Sequence, residues 1–267
     1  MKFGFVLPRG DGATAVTIAQ EAEAAGWDGF FMWEPVWGID PWVALGAVAV
    51  STQRIRLGTL LTPVSRRRPW KLASETATLD RLSNGRLILS VGLGATDTGF
   101  ANFGEETDRK RRAQLLDEGI DILQGLWQGQ PFHYDGRHYH IRETDFMPPP
   151  PPVQPRIPIW CVGAWPYPKS MRRVLRCDGL LPTAIPADGP PRQASPGDVR
   201  QMKAYIEANR TLDTPFDIVV EGRTAGADSE LLQAYAAAGT TWWIESMWES
   251  PEPADWLARI RQGPPTL

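Results

Sequence analysis

The stretch Ile55–Gly94 constrains the fold more than any other part of the chain. It opens on an apolar run from Ile55 to Pro63 and continues as a helical pattern from Pro69 to Leu82. It turns at Ser83-Asn84-Gly85 and closes on a second apolar run, Arg86 to Gly94. Neither run alternates polar with apolar residues. Such continuous runs fit strands buried on both faces, as in a parallel sheet covered by helices. Proline at the first helical position and Asn-Gly just past the last are start and stop signals. The stretch is therefore one βαβ unit, for which a right-handed crossover is expected.

The rest of the chain repeats that unit. Further strands are predicted at Lys2–Pro8, Gly29–Trp33, Ile157–Val162, Asp178–Thr183, Phe216–Gly222 and Thr240–Ser246. Helices are predicted at Ala13–Ala25, from Pro41 to about Thr52, around Leu116–Trp127, at Lys169–Arg176, from Ser195 onward, at Ser229–Ala238, and from Ser250-Pro251 to Ile260. An open doubly wound sheet rarely needs eight such units, whereas closing the sheet removes both edges. The expected fold is thus α/β: a (β/α)8 TIM barrel forming a single domain over residues 1–267. No GxGxxG follows the first strand, which argues against a dinucleotide-binding domain. One insertion, about 130–156, interrupts the alternation between helix four and strand five. It reads as a β-hairpin around Asp135-Gly136, then the proline run Pro148–Pro152 as a stiff spacer laid over the barrel.

Bulk properties narrow the function. A chain of 267 residues suits one barrel. A net charge of −3, from 28 basic and 31 acidic side chains, gives no reason to expect nucleic acid or an anionic membrane as partner. No apolar run approaches the roughly 20 residues needed to span a bilayer, and the first residues break too soon for a signal peptide. A soluble cytoplasmic protein is expected. Cys161 and Cys177 lack metal-like spacing and read as buried thiols in a reducing compartment, or else as a disulfide. His138 and His140 share a face by alternation, but no placed carboxylate or cysteine joins them, so no metal is expected. Twelve tryptophans, several near strand ends, favour an aromatic-lined cleft for something apolar or planar, beside ordinary core packing.

Several segments in combination carry a resemblance. They are Ala25-Gly26-Trp27-Asp28-Gly29, Arg54 to Thr59, Ala77 to Arg86 leading into Val91-Gly92-Leu93-Gly94, Leu116 to Leu123 with Leu126-Trp127, and Ile159 to Gly163. The Leu-Asp-Arg-Leu-Ser-x-Gly-Arg stretch, Leu79–Arg86, is the most specific. In this order they resemble the bacterial-luciferase-like, flavin- or deazaflavin-dependent oxidoreductases. The resemblance implies FMN or coenzyme F420 laid across the C-terminal ends of the strands, its ring against strand three. Matched by position, it assigns Leu60, Leu61 and Thr62, then Gly92 and Gly94, then Val162 to cofactor binding, with a non-prolyl cis peptide at Leu60-Leu61. The cofactor phosphate falls to Gly163, Ala164 and Trp165 and the following helix with Lys169. Backbone N–H groups and a nearby lysine would favour an anion there. A homodimer through helices two and three is common in such proteins.

The sequence departs from that family at Glu34-Pro35, where many members have Asp-His. Proline cannot transfer a proton, so a mechanism built on that histidine is excluded. Glu34 is the candidate catalytic carboxylate; its alternative role is to anchor a loop. Trp33, Trp37, Arg66 and Glu245 are candidates for the substrate pocket. The run Arg66-Arg67-Arg68 either attracts an anionic tail or is a solvated loop. Asp80, Arg81 and Arg86 lie at the opposite end of the barrel and read as structural. The expected activity is oxidoreductase or monooxygenase chemistry on a small organic substrate. The alternatives are a non-catalytic flavin- or F420-binding protein, and an unrelated hydrolase or aldolase barrel. The last would need a metal cluster or a lysine at a strand C-terminus, and no lysine falls there.

Overall fold

The computed structural model describes residues 1–145, 150–224, 229–250 and 252–267. The predicted apolar runs become strands: β1 (Lys2–Leu7), β2 (Gly29–Met32), β3 (Arg56–Pro63) and β4 (Leu87–Gly92). A separate hairpin, β5 (Phe132–Asp135) and β6 (His140–Thr144), comes next. The remaining strands are β7 (Ile159–Trp165), β8 (Gly179–Ala184), β9 (Arg192–Gln193), β10 (Asp217–Gly222) and β11 (Trp242–Ser246). Eight of them pair in parallel in the order β10-β11-β1-β2-β3-β4-β7-β8, and β8 pairs back to β10. The sheet is closed, as expected for a (β/α)8 barrel.

Helices α1 (Gly12–Ala24), α2 (Pro41–Ser51), α3 (Pro69–Leu82), α4 (Arg109–Gln128), α5 (Pro168–Val174), α6 (Pro196–Asn209), α7 (Ser229–Ala238) and α8 (Pro253–Arg261) cover the outside. Their starts follow the capping residues in the sequence. Asp11, Asp40 and Asp108 each accept a hydrogen bond from the backbone three residues on, at 2.8, 2.9 and 2.7 Å. Each such cap is worth about 1 kcal/mol. Ser195 and Asp198 form a reciprocal capping box at α6. Hydrogen bonding from Arg192, then from Ser195, holds the Asp198 carboxyl down to about 2, so the cap stays charged at neutral pH.

The barrel has two cores. One fills the space between strands and helices. The other lies inside the barrel, where Phe31, Trp160 and Trp242 meet with ring centroids 5.3–6.1 Å apart among Val6, Leu60, Ile88, Val219 and Ile244. Aromatic contacts of this kind add to the area they bury. Core packing, one of the two uses expected of the tryptophans, takes many of them. Trp160 and Trp242 plug the barrel, and Trp27, Trp243 and Trp256 are buried in the outer core. Most of them pack rather than line a cleft.

A few boundaries shift. Strand five of the barrel, β7, runs to Trp165 rather than stopping at Val162. The last helix starts at Pro253; Pro251, predicted to open it, lies outside the described residues, as do Pro148 and Pro149 of the proline run. Strand β9 was not expected. It pairs antiparallel with the end of β8, Thr183 opposite Gln193, and folds a proline-rich loop back over the barrel mouth. His138 and His140 do not act together: one meets Gln114 at 3.1 Å, the other Asp135 at 2.6 Å. Cys161 and Cys177 are both buried and free.

Candidate functional site

Parallel strands leave their C-terminal ends on one rim of a barrel, and ligands bind there. Here that rim carries a cavity of about 570 Å³, a size suited to a small organic molecule. Its floor begins with Leu60 and Leu61. Neighbouring strand residues ordinarily face opposite sides. Here Thr59 pairs with Leu89 and Thr62 with Val91, so β3 spends one residue more than β4 across this interval. That β-bulge lets both leucines line the cavity. The peptide between them is cis, as the resemblance implied.

Gly92 continues the floor beside Val162 and Ala164. A Cβ at Gly92 would come within 3.0 Å of both Leu61 and Val162. Gly94, at φ +74°, lets the chain turn against Pro63 and Phe100; a Cβ there would lie 2.8 Å from the Phe100 ring. Trp33, Phe100, Leu116 and Trp248 form walls. Trp33 is fixed by a 2.8 Å hydrogen bond to the Pro8 carbonyl and packs edge-on against Trp248. The cationic side chains Arg109 and Arg173, with Ser170, line the part next to α4 and α5, while Glu34 lies in the wall that follows Trp33. An apolar floor with cations at one end suits a planar ring carrying an anionic tail, so the residues present fit FMN or F420.

The predicted site residues divide. Leu60, Leu61, Gly92, Gly94, Val162, Ala164, Trp33 and Glu34 all line this cavity. Lys169 lines an adjoining groove. The others do not reach it. Thr62 is fully buried and donates its hydroxyl to Thr59 at 3.0 Å. Gly163 points outward: a Cβ there would meet Leu180 at 2.3 Å and Met171 at 3.1 Å, so glycine admits α5 against the strand. Trp165 packs on Tyr205. Trp37 is 85% exposed. Arg66 binds the carbonyls of Glu34, Pro35 and Val36 at 3.0–3.3 Å and so shapes the loop instead of facing a ligand. Glu245 is fully buried on the helix side of β11, held by the Thr224 N–H at 2.9 Å, the Thr224 hydroxyl at 2.8 Å and Arg259 at 3.4 Å. Strand alternation sends its neighbours Ile244 and Ser246 to the barrel side and Glu245 away.

The phosphate cradle expected after β7 also differs in detail. The Ala164 N–H donates to the Ser170 hydroxyl at 2.9 Å and is already satisfied. Positive charge at this end comes from side chains instead.

Glu34 lies in the cavity wall, buried, with both carboxylate oxygens engaged. Arg67 Nε donates to Oε1 at 2.8 Å and Trp42 Nε1 to Oε2 at 3.2 Å. A second cavity of about 490 Å³ lies across Leu60 and Leu61, over the barrel axis, and includes Glu221. Burial pushes the Glu221 carboxyl above the usual range, opposed by hydrogen bonds from Trp248 and Ser246. The sequence placed Glu221 late in its strand, but only the strand's phase in the closed barrel turns it inward.

These features agree with comparisons to known proteins. The luciferase-like monooxygenase family model matches residues 1–262. An uncharacterized protein of Mycobacterium tuberculosis is 32% identical over 214 residues, 70% of this chain and 74% of that protein. An F420-dependent glucose-6-phosphate dehydrogenase of Amycolatopsis mediterranei is 33% identical over 161 residues, 57% of this chain and 47% of the enzyme. In structure, the coenzyme F420 dependent tetrahydromethanopterin reductase of Methanopyrus kandleri superposes with a TM-score of 0.77 at 17% identity, covering 98% of this chain and 96% of that one. The monooxygenase RslO1 of Streptomyces bottropensis superposes at 0.75 and 21% identity, covering 98% and 97%. With its family model matched from the first strand to the last helix, this chain belongs to the luciferase-like monooxygenase family.

Proposed function

We propose that the protein is a luciferase-like oxidoreductase that binds FMN or coenzyme F420 in the rim cavity and acts on a small organic substrate. The observation that carries this reading is the apolar cavity floor of Leu60, Leu61, Gly92 and Val162, with the cations Arg109 and Arg173 on the side of α4 and α5. Either cofactor, when bound, supplies hydride chemistry, and reduced FMN can also activate oxygen. The chain's own residues orient and exclude water. Leu60 and Leu61 support a ring from below, Trp33 and Trp248 close one side, and Arg109 with Ser170 receives a phosphate. Glu34 is held between Arg67 and Trp42 and shapes the wall. The carboxyl suited to hold a proton is Glu221, which faces the axial cavity and stays neutral to a higher pH than an ordinary glutamate.

Pro35 and the fully engaged Glu34 also favour a second reading, a flavin- or F420-binding protein without turnover. The visible spectrum of the protein mixed with each cofactor tests the first step. Binding of neither at concentrations on the order of tens of micromolar would end the reading. Turnover of bound reduced cofactor with an electron acceptor separates enzyme from carrier.

The protein acts as a homodimer through α2 and α3 in this reading, supported by the exposed apolar stripe of Val43 and Val50 on α2. No helix among the described residues is long and apolar enough to cross a membrane. A cytoplasmic setting fits the two free buried thiols.

A further inference from the structure

Pro35 cannot exchange a proton, and Glu34 is committed through both oxygens to Arg67 and Trp42. Three strands round the barrel, on β10, a carboxyl is placed otherwise. Val219 of β10 joins the cluster inside the barrel, while Ile218 and Val220 join the outer core. Strand alternation therefore turns Glu221 inward, one layer nearer the rim than Val219. There it lines the axial cavity of about 490 Å³.

That cavity holds two ionisable side chains, Arg192 and Glu221. Arg192 is spent: it donates to Asp198 at 2.7 Å and to the Gln193 carbonyl at 2.9 Å. Among the described residues Glu221 has no cation in ion-pair range. Trp248 Nε1 donates to its Oε1, and the Ser246 hydroxyl nearby bonds the Gly222 carbonyl at 3.3 Å. Strand β8 brings only Leu181, Pro182 and Thr183 to this space, and Glu245 of β11 is turned away. Burial, opposed by the hydrogen bonds from Trp248 and Ser246, keeps the proton on Glu221 to a higher pH than usual. A protonated carboxyl both donates and accepts.

The two cavities meet, since Leu60, Leu61, Val162, Thr183 and Pro191 line both. A substrate in the axial cavity would lie beside a ring resting on Leu60 and Leu61 and within reach of Glu221. Its charge is restricted. An anion finds no uncommitted cation in the lining, and an ammonium would have to be desolvated over Leu60, Leu61, Leu181 and Val219 and would force Glu221 to ionise. An uncharged oxygen meets a ready donor.

We propose that the axial cavity takes a small uncharged carbonyl compound, or the corresponding alcohol, with its oxygen at Glu221, and that Glu221 is the catalytic residue that passes the proton to and from that oxygen. The proposal rests on the cofactor reading above and deepens it by naming the substrate class and the group that recognises it. In reduction the carbonyl carbon gains a hydride, with its two electrons, from a reduced flavin or deazaflavin. The C=O π bond breaks, its electron pair passes to oxygen, and an O–H bond forms to the proton of Glu221. The carboxylate left behind recovers a proton from water. Oxidation of the alcohol runs the same exchange backwards.

The test uses three probes that share a ring and differ in charge: cyclohexanone, cyclohexanecarboxylate and cyclohexylammonium. Their binding to the protein loaded with oxidised cofactor is measured by saturation-transfer NMR. The ketone should bind about tenfold or more tighter than either ion. Glu221→Gln keeps a donor and should hold the ketone within about twofold, whereas Glu221→Leu should weaken it about fivefold. Reduction of the ketone by the Gln variant should be slower by about 100-fold or more at unchanged ketone affinity. Glu221 donates only while protonated, so reduction by the parent should fall as pH rises through its raised pKa, and the Gln variant should show no such fall. With 13C-labelled glutamate, the carboxyl signal missing from the Gln variant should titrate above the usual carboxylate range. Tighter binding of either ion, no binding of the ketone at concentrations on the order of tens of millimolar, or equal reduction by parent and Gln variant overturns the proposal and leaves the cofactor reading intact. Failure of both cofactors to bind overturns that reading, and this proposal with it. The comparison of the three probes on the unaltered protein decides the substrate class even if the Leu variant does not fold.

Discussion

At the residue scale, Glu34 shows how one side chain can sit in a cavity wall and yet be committed elsewhere. Its carboxylate is nearly inaccessible and holds Arg67 at 2.8 Å, while Arg67 also reaches Glu75 at 3.0 Å and Asp40 at 3.7 Å. Removing one partner of a buried pair costs about 3–5 kcal/mol, because the other charge is left without compensation. Arg67 keeps Glu75, so Glu34→Ala should cost about 3 kcal/mol, the lower end of that range. Urea unfolding measures it. A midpoint unchanged from the parent would mean that Glu34 is not an anchor, and the acid/base role would return. Reading the sequence left both roles open because Arg67 and Trp42 are brought to Glu34 only by the pairing of β2 with β3 and the packing of α2. The exchange of histidine for Pro35 was legible directly, since it depends on what a side chain is and not on what surrounds it.

At the scale of elements, the insertion between α4 and β7 is pinned to the barrel by Asp80 at the end of α3. This aspartate is fully buried. It accepts the N–H groups of Val153 and Gln154 at 2.8 and 3.0 Å and the Gln154 amide at 2.7 Å. Gln154 in turn reaches the Leu87 carbonyl at 2.9 Å, and Arg56 reaches Gln154 at 3.2 Å. The most specific stretch of the sequence, Leu79–Arg86, is thus a clamp on the bottom of the barrel. Arg86 completes it with bonds to Ala49, Thr52, Ile55 and Ser83. Asp80→Ala leaves three donors without an acceptor, each costing about 1–3 kcal/mol when buried. The expected loss is about 3 kcal/mol, with faster proteolysis within residues 150–156 than elsewhere. Uniform proteolysis along the chain would show that Asp80 is not the pin. That Asp80 and Arg86 are structural was legible, because they sit at the end of the barrel away from ligands. The phase of a strand was not. Glu245 and Glu221 occupy similar late positions, yet one faces α8 and the other the axis. Barrel closure sets that phase. The bulge that turns Leu60 and Leu61 to one side could be named only through the resemblance, since it interrupts the periodicity on which sequence reading depends.

At the scale of the whole molecule, α2 poses a problem that the lone chain does not solve. The helix Pro41–Ser51 contains no charged residue. A helix that is apolar all round is normally buried on every side. Its inner face is buried by Trp42, Leu45, Val48 and Ala49, but Val43, Ala47 and Val50 point outward along one stripe, Val43 at 77% exposure and Val50 at 62%. Leu82 on α3 is also exposed, and a shallow groove of about 290 Å³ between the two helices is lined by Val43, Gly46 and Leu82 together with Asp40, Lys71 and Glu75. A single exposed apolar residue needs no explanation, but an uncharged helix stripe with three in succession is an interface candidate. A two-fold dimer would place the same patch on both sides, covering each stripe with its copy. Sedimentation at micromolar concentration should therefore give a dimer. Val43→Glu/Val50→Glu would put four carboxylates into one interface, where burying unpaired charge is prohibitive, and should give monomers. The same changes lie on the surface of each subunit, so the unfolding free energy of the monomer should move by no more than about 0.5 kcal/mol. A parent protein that sediments as a monomer, or a double variant that remains dimeric, would put the contact elsewhere and leave the α2 stripe unexplained.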